Sequence, residues 1–402
     1  SVMATPLPTY GFDYSLVRNP DIDTAYNALI TYVIPGSPAA QAGLERGDWI
    51  MKVDTSYISK KYETYLLQGT KAVKLTLGEW KEVEIEDEED GNEGGDGEDE
   101  GPTMEYRVVP IDDPVEMPAA QIVEDNPVHK YEIIESPVKK IRVGYLMYNS
   151  FTAGTKAEPE KYNNELRSVS QKFKEAGVQA VILDLRYNEG GSMDCVQLLG
   201  TILTSADRLG EPMAYLEYND KNTDKDATIL FGTDREINLN LHSLIAITSG
   251  TTMGAPEMLI RSLFLEDTYP IATVGSSTKG QNVATEQFIN EEFLWSVNPV
   301  VCTVYNSQHD TYGAISPATD LKVSETTIDG STNYSEFLPF GTFDKDGKSE
   351  RLLKIAIGVL DGTYPPKDDE TPEESTPQTR FKVEKSVSSP ASRRFSSKGL
   401  RL

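Results

Sequence analysis

The sequence predicts a mixed α/β protein of more than one domain. Its 402 residues exceed what a single hydrophobic core usually serves. From about residue 141 to residue 362, apolar β-branched runs alternate with stretches of helical periodicity, the pattern of an α/β core. Before residue 110 the apolar runs are short, rich in β-branched residues and separated by Pro/Gly turns, so a smaller β-rich domain precedes that core.

Composition narrows the function classes. The chain carries 64 acidic and 38 basic residues, a formal net charge of -26. Such a surface repels nucleic acid and anionic lipid, so neither is expected as a partner. Twelve of the acids and no base fall within residues 82–101, which leaves about -14 for everything else. The two cysteines, Cys195 and Cys302, are far apart and read as buried free thiols, with one disulfide left open. His129, His242 and His309 show no metal-ligand spacing, so neither a metal nor a cofactor is expected. No apolar run reaches transmembrane length. A start at Ser1, without an initiator Met, fits a chain trimmed on export.

Residues 1–8 read as a loose arm, and the β-rich domain spans 9–109. Tyr10 to Leu16 alternates like a strand, and Ala28 to Ile34 is a second strand by β-branched content. A Pro35-Gly36 turn, a short Ala-rich helix closed by Gly43, a turn at Gly47-Asp48 and a strand from Trp49 follow. Val73 to Leu77 is a later strand. The Glu/Asp/Gly run 82–102 has no apolar surface to bury and is expected to be a disordered insertion within a hairpin, because Glu105 to Val109 resumes strand character. Residues 110–140 are Pro-rich and read as a linker.

Arg142 to Phe151 opens the second domain as a strand. Leu166, Val169, Phe173 and Ala176 recur at helical spacing over 162–176, and Gly177 stops that helix. The run Val178 to Leu183 is a buried strand leading into Asp184-Leu185-Arg186-Tyr187-Asn188-Glu189-Gly190-Gly191, a polar turn before a helix over 192–203. Adjacent glycines there let an oxyanion or another chain approach the backbone N–H groups. His242 to Ile247 is a further strand, and a helix starts near Ala255. Glu350 to Leu360 is the last helix, and 363–402, acidic and then basic, is expected to be a disordered tail.

Two motifs support a resemblance. The run Val33-Ile34-Pro35-Gly36-Ser37-Pro38-Ala39-Ala40-Gln41-Ala42-Gly43-Leu44-Glu45-Arg46-Gly47-Asp48 resembles the PDZ domains of bacterial proteases. Asp184-Leu185-Arg186, Asn188 and Gly190-Gly191 after a buried strand resemble the signature of the S41 peptidases, the tail-specific or C-terminal processing proteases. The resemblance covers roughly 9–80 and 141–362. It implies a core with the ββα spiral of crotonase-like and Clp-type folds, and a serine-type peptidase whose oxyanion hole draws on Gly190, Gly191 and Ala255. It also implies a bacterial cell-envelope setting, periplasmic or as an outer-membrane-anchored lipoprotein, and unfolded or C-terminal peptide segments as partners. Tyr10-Gly11-Phe12-Asp13 resembles the PDZ loop that captures a peptide carboxylate beside a sheet edge.

The same resemblance locates two substitutions. Relatives carry their nucleophilic serine three residues before the glutamate of a T-S-G-x-T-A-S-A-S-E pattern; here Thr248 to Glu257 aligns without a gap and Gly254 stands in that place. Their general-base lysine, in V-G-x-x-T-x-G-K, falls on Gln281. Glycine has no group to acylate, and a neutral amide does not take a proton near neutral pH. The reading is therefore a peptide-binding pseudopeptidase. Two alternatives stand beside it: an active endopeptidase relocated to Thr252 and Lys279, and a scaffold that docks one protein partner through its PDZ domain.

Overall fold

The computed structural model describes residues 7–85, 103–290, 292, 295–325, 327–328, 331–332, 337–344, 347–365, 383–387 and 398–402. Most of the expected arm, residues 86–102 of the acidic insertion and much of the expected tail lie outside the described residues.

The first domain runs β1 (Phe12–Arg18), β2 (Tyr26–Val33), α1 (Pro38–Gln41), β3 (Trp49–Val53), β4 (Ser56–Tyr57), α2 (Glu63–Leu67), β5 (Val73–Ile85), β6 (Thr103–Pro110) and β7 (Val115–Met117). Its antiparallel sheet has the order β1-β2-β3-β5-β6, with β4 beside β3 and β7 beside β5. Ser37 caps α1 by accepting the Ala40 N–H at 3.2 Å, and Pro38 occupies the first turn, where its missing N–H costs nothing. Tyr14, Leu16, Ala28, Ile30, Ile50 and Leu75 form the core between sheet and helices. The acidic insertion does sit in a hairpin, but Glu82 to Ile85 are paired strand, with Ile85 opposite Thr103. An antiparallel partner satisfies their backbone, and acidic side chains on an exposed ribbon stay in water.

The second domain runs β8 (Val128–Glu135), β9 (Arg142–Tyr148), α3 (Lys161–Glu175), β10 (Ala180–Asp184), β11 (Gly190–Ser192), α4 (Met193–Leu203), β12 (Pro212–Tyr218), β13 (Ala227–Leu230), β14 (Leu244–Thr248), α5 (Ala255–Leu263), β15 (Ile271–Gly275), β16 (Val283–Thr285), β17 (Phe288–Asn290), β18 (Trp295–Val297), β19 (Val300–Tyr305), the two-residue strands β20 (Thr327–Ile328) and β21 (Ser331–Thr332), and α6 (Arg351–Asp361). Two strands follow α6: β22 (Val383–Val387) and β23 (Gly399–Arg401). A five-stranded sheet of order β15-β14-β10-β9-β8 is parallel except at β8. Successive side chains of a strand point to opposite faces. Thus Leu146, Val181, Leu183 and Ala246 meet α3, α4 and α5 on one side, while Tyr145, Met147, Ile182 and Ile247 meet α6 on the other. No helix of the described residues is long and apolar enough to cross a membrane.

Two expectations need correction. The stretch 110–140 is not only a linker: β7 and β8 are edge strands of the two sheets, because each finds a partner that satisfies its backbone. The stretch 363–402, expected to be a disordered tail, contributes two strands. β22 pairs with β1 of the first domain, and β23 lies between β11 and β16 in a sheet of order β11-β23-β16-β19-β12-β13. Composition does not reveal this, since each strand is stabilised by edges supplied from far away in sequence.

Candidate functional site

The site begins where β10 ends. Leu185 N–H bonds to Ile247 O at 2.9 Å, and the turn Arg186 to Gly191 then leaves the sheet. Arg186 is fully buried and anchors that turn. Its guanidinium pairs with Asp184 at 2.6 Å, Glu350 at 2.8 Å and Glu325 at 3.0 Å, and Glu325 also pairs with Arg46 of the first domain at 2.8 Å. Burial by itself would raise the Glu350 carboxyl, but the Arg186 charge beside it holds it down at about 2. Burial raises the Asp184 carboxyl above its ordinary value, although Arg186 pulls the other way. The Asp-Leu-Arg part of the motif is thus a buried ionic brace joining the turn to α6 and to the first domain.

Asn188 shapes the glycines. Its Nδ2 donates to Tyr148 O at 2.8 Å and its Oδ1 accepts the Gly190 N–H at 3.0 Å. The Gly190 carbonyl accepts from Phe151 N at 2.9 Å, and Ser192 N donates to Phe151 O at 2.8 Å. With those groups engaged on one edge of β11, the alternate groups, Glu189 O and Gly191 N, face the other edge. There Gly399 N donates to Glu189 O at 2.7 Å, and Gly190 and Gly191 pair with Gly399 and Leu400 in a parallel ladder. Of the two glycine amides proposed for an oxyanion hole, Gly190's is held by Asn188 and Gly191's faces the Gly399 side.

Across from this ladder stands the N-terminus of α5. Gly254 is its cap, with φ +70°, and Met253 N bonds to Asn188 O at 3.2 Å, tying the cap to the glycine turn. Ala255 follows, fully buried at the first helical position. Glu257, also fully buried, joins the two substituted positions. It accepts Gly254 N at 2.8 Å, Gly280 N at 2.5 Å and Gln281 N at 2.8 Å, together with the Thr278 hydroxyl. Gly254 and Gln281 therefore share one carboxylate and flank one slot.

That slot holds Gly399. A Cβ placed on Gly254 would lie 2.5 Å from the Gly399 carbonyl carbon and 2.6 Å from Leu400 N. A Cβ on Gly399 would lie 2.3 Å from Gln281 Oε1, and one on Gly190 would lie 1.9 Å from Gly399 O. Gly254 and Gln281 thus come together as the motif alignment requires, with the Gly399–Leu400 peptide bond between them.

The alternative pair, Thr252 and Lys279, does not assemble. The Thr252 hydroxyl is buried, donates to Leu185 O at 2.9 Å and accepts Ser249 N at 3.0 Å, which commits its proton to holding the loop. Lys279 meets Thr252 only through its backbone, N to O at 3.0 Å, and its side chain is exposed. The two-residue spacing that suggested a shared face describes a strand, and this segment is an extended loop before β16. Among the described residues no group of His, Cys, Asp and Glu is placed to hold a metal ion.

In the first domain, Tyr10 and Gly11 precede β1, and Phe12 and Asp13 open it. β22 runs antiparallel along β1, from Val383 opposite Val17 to Val387 opposite Tyr14, so it heads toward Gly11. Lys385 Nζ reaches Glu63 of α2 at 2.7 Å, and Ser386 Oγ meets Ser15 Oγ at 2.9 Å. Sequence reading missed Glu63, Asn188, Glu257 and both distal strands as parts of these sites. Only Asn188 and Glu257 carried a signal, as fixed points of the two motifs.

The model of peptidase family S41 matches residues 142–297, and that of a PDZ domain matches residues 29–76. A crystal structure from Bacteroides fragilis NCTC 9343, assigned to the S41 proteases, is 39% identical with a TM-score of 0.74; the match covers 90% of this chain and 85% of that one. The photosystem II D1 C-terminal processing protease is 16% identical with a TM-score of 0.40, over 80% of this chain and 74% of that one. No curated protein matches the chain.

Proposed function

The chain belongs to peptidase family S41, and from that membership we propose a non-cleaving member that binds extended or C-terminal peptide segments by strand addition. The observation that carries this reading is the pair Gly254 and Gln281 on either side of one peptide bond. A nucleophile and a base are needed there, and the two positions offer a hydrogen atom and a neutral amide. Losing either member of such a pair costs on the order of 10⁶ in kcat, and losing both costs little more. The backbone donors around Gly191 remain suited to a peptide carbonyl, and they support binding without turnover.

The test incubates the unaltered chain with unfolded proteins and fluorogenic peptides, beside a Gly254→Ser/Gln281→Lys variant. The unaltered chain is expected to leave every substrate intact. Cleavage by the unaltered chain that disappears in Thr252→Ala/Lys279→Ala would overturn the reading in favour of a relocated active pair. Retention of one folded partner, with no affinity for peptides, would favour a docking scaffold instead. The proposal carries with it the envelope setting that the family resemblance implies, which fractionation of the producing cell would check.

A further inference from the structure

The two peptide sites are not independent of the chain that builds them. β23 completes a six-stranded sheet, parallel to β11 on one edge and parallel to β16 on the other. Leu402 N donates to Thr285 O at 3.0 Å, and the Thr285 hydroxyl donates to Leu400 O at 3.1 Å. Leu400 is 1% exposed and belongs to the main core. Lys398 reaches Glu189 at 3.3 Å. The strand therefore has partners on both edges, a buried anchor and a charged contact, which together form a built site.

The slot is also selective by shape. Gly190, Gly254 and Gln281 surround Gly399 so closely that a side chain on any of the three glycines meets backbone or amide atoms within 2.6 Å. Real Cβ contacts do not come that close. A serine at position 254 would put its Cβ on the Gly399–Leu400 bond. The loss of the nucleophile and the seating of this strand are thus one steric fact. Upstream, β22 pairs with β1, and its Lys385 reaches Glu63 of α2. Arg380 to Leu402 contains seven basic residues and one acidic residue, on a chain of net charge -26. At each place a cation of the segment meets a carboxylate, Lys385 at Glu63 and Lys398 at Glu189.

We infer that residues 383–387 and 398–402 are internal ligands of the two peptide sites, and that the cleft takes extended segments of the pattern basic residue, glycine, aliphatic residue. This inference rests on the non-cleaving reading of the same cleft. An external segment binds by displacing the internal one. Its apparent affinity is its intrinsic affinity multiplied by the fraction of time the cleft is free.

The experiment uses the full chain and a fluorescently labelled peptide, Ser-Lys-Gly-Leu-Arg-Leu, copied from residues 397–402. Anisotropy is read on the unaltered chain and on Gly399→Val, whose side chain cannot enter the slot. Gly399→Val is expected to bind the peptide about tenfold or more tightly than the unaltered chain does. A peptide with valine in place of its glycine is expected to bind neither. Equal affinity for both chains, or indifference to that valine, overturns the inference.

Hydrogen exchange on the unaltered chain provides a second readout that needs no variant. The Gly399 and Leu402 amides are expected to be protected like the core, and exchange at random-coil rates overturns the inference. Mass spectrometry of the peptide separates the two claims. Scission at its Gly-Leu bond by the unaltered chain refutes the non-cleaving reading, whereas an intact peptide with no preference for Gly399→Val refutes only the internal ligand. A Glu189→Cys/Lys398→Cys variant, oxidised and run on a non-reducing gel, reports who donates the strand. A monomer in which both introduced thiols are joined supports an internal ligand; a dimer band, or a monomer with both thiols still free after oxidation, overturns it.

Discussion

Glu350→Gln tests whether the buried ionic brace sets the shape of the cleft. Glu350 is fully buried, accepts both Arg186 Nη1 at 2.8 Å and Nη2 at 3.2 Å, and caps α6 through Leu353 N at 2.9 Å. Its carboxyl sits at about 2 against an ordinary 4.5. A gap of that size corresponds to about 3 kcal/mol of folding stability. Its sign follows from linkage: a depressed folded pKa stabilises fully above about 4.5, and the contribution fades as pH falls toward about 2. Asp184 works in the opposite sense. Burial, with a smaller push from the Glu350 charge, raises its folded pKa, so it costs stability as pH climbs through its range, and Glu350→Gln lessens that cost.

Removing one partner of a buried pair costs about 3–5 kcal/mol. Glutamine keeps the shape and one acceptor, so the expected loss lies at the lower end, about 3 kcal/mol at neutral pH. Urea denaturation followed by circular dichroism, at neutral pH and again near pH 3, measures it. The difference between the two chains is expected to shrink in acid, and the Gly191 amide is expected to exchange faster in the variant. A loss under about 1 kcal/mol at neutral pH, or one that does not change with pH, would refute the role assigned to the brace.

Three further outcomes follow from the same contacts. Glu257→Gln leaves some of four converging donors facing an NH₂ group; at about 1–3 kcal/mol for each unsatisfied donor, it is expected to lower stability by about 2–5 kcal/mol, read in thermal melts. Leu400→Ala empties a buried position and is expected to cost about 2–5 kcal/mol in urea denaturation; a change under about 0.5 kcal/mol would mean that the strand is not seated in the core. Burial pushes the Cys195 and Cys302 thiols up to about 11, so alkylation of the native chain at mildly alkaline pH is expected to be slow and to become fast on unfolding; rapid native labelling would contradict their placement.

The sequence alone determined the two-domain α/β plan. It did so through local features that need no distant partner: the Pro35-Gly36 turn, the Gly43 stop, strand runs such as Val178 to Leu183, and the glycine pair after Asp184. The resemblance to the family motifs also pointed to Gly254 and Gln281, which the fold places on either side of Gly399. Other residues could not be placed from sequence. Glu257 read only as an anchor of a pattern until the fold gathered four donors around it from residues 254 to 281. Thr252 and Lys279 looked like a candidate pair until the loop turned the hydroxyl toward Leu185 O.

The distal strands show the limit most clearly. Gly399-Leu400-Arg401 and Val383 to Val387 sit in a polar, basic stretch whose composition indicates disorder. Only the tertiary structure supplies the unpaired edges of β1, β11 and β16 on which those residues lie. Local conformation depends on neighbours a few residues away and can be read in order. Strand pairing across about 200 residues depends on which edges the folded core leaves unmatched, and that is a property of the assembled molecule.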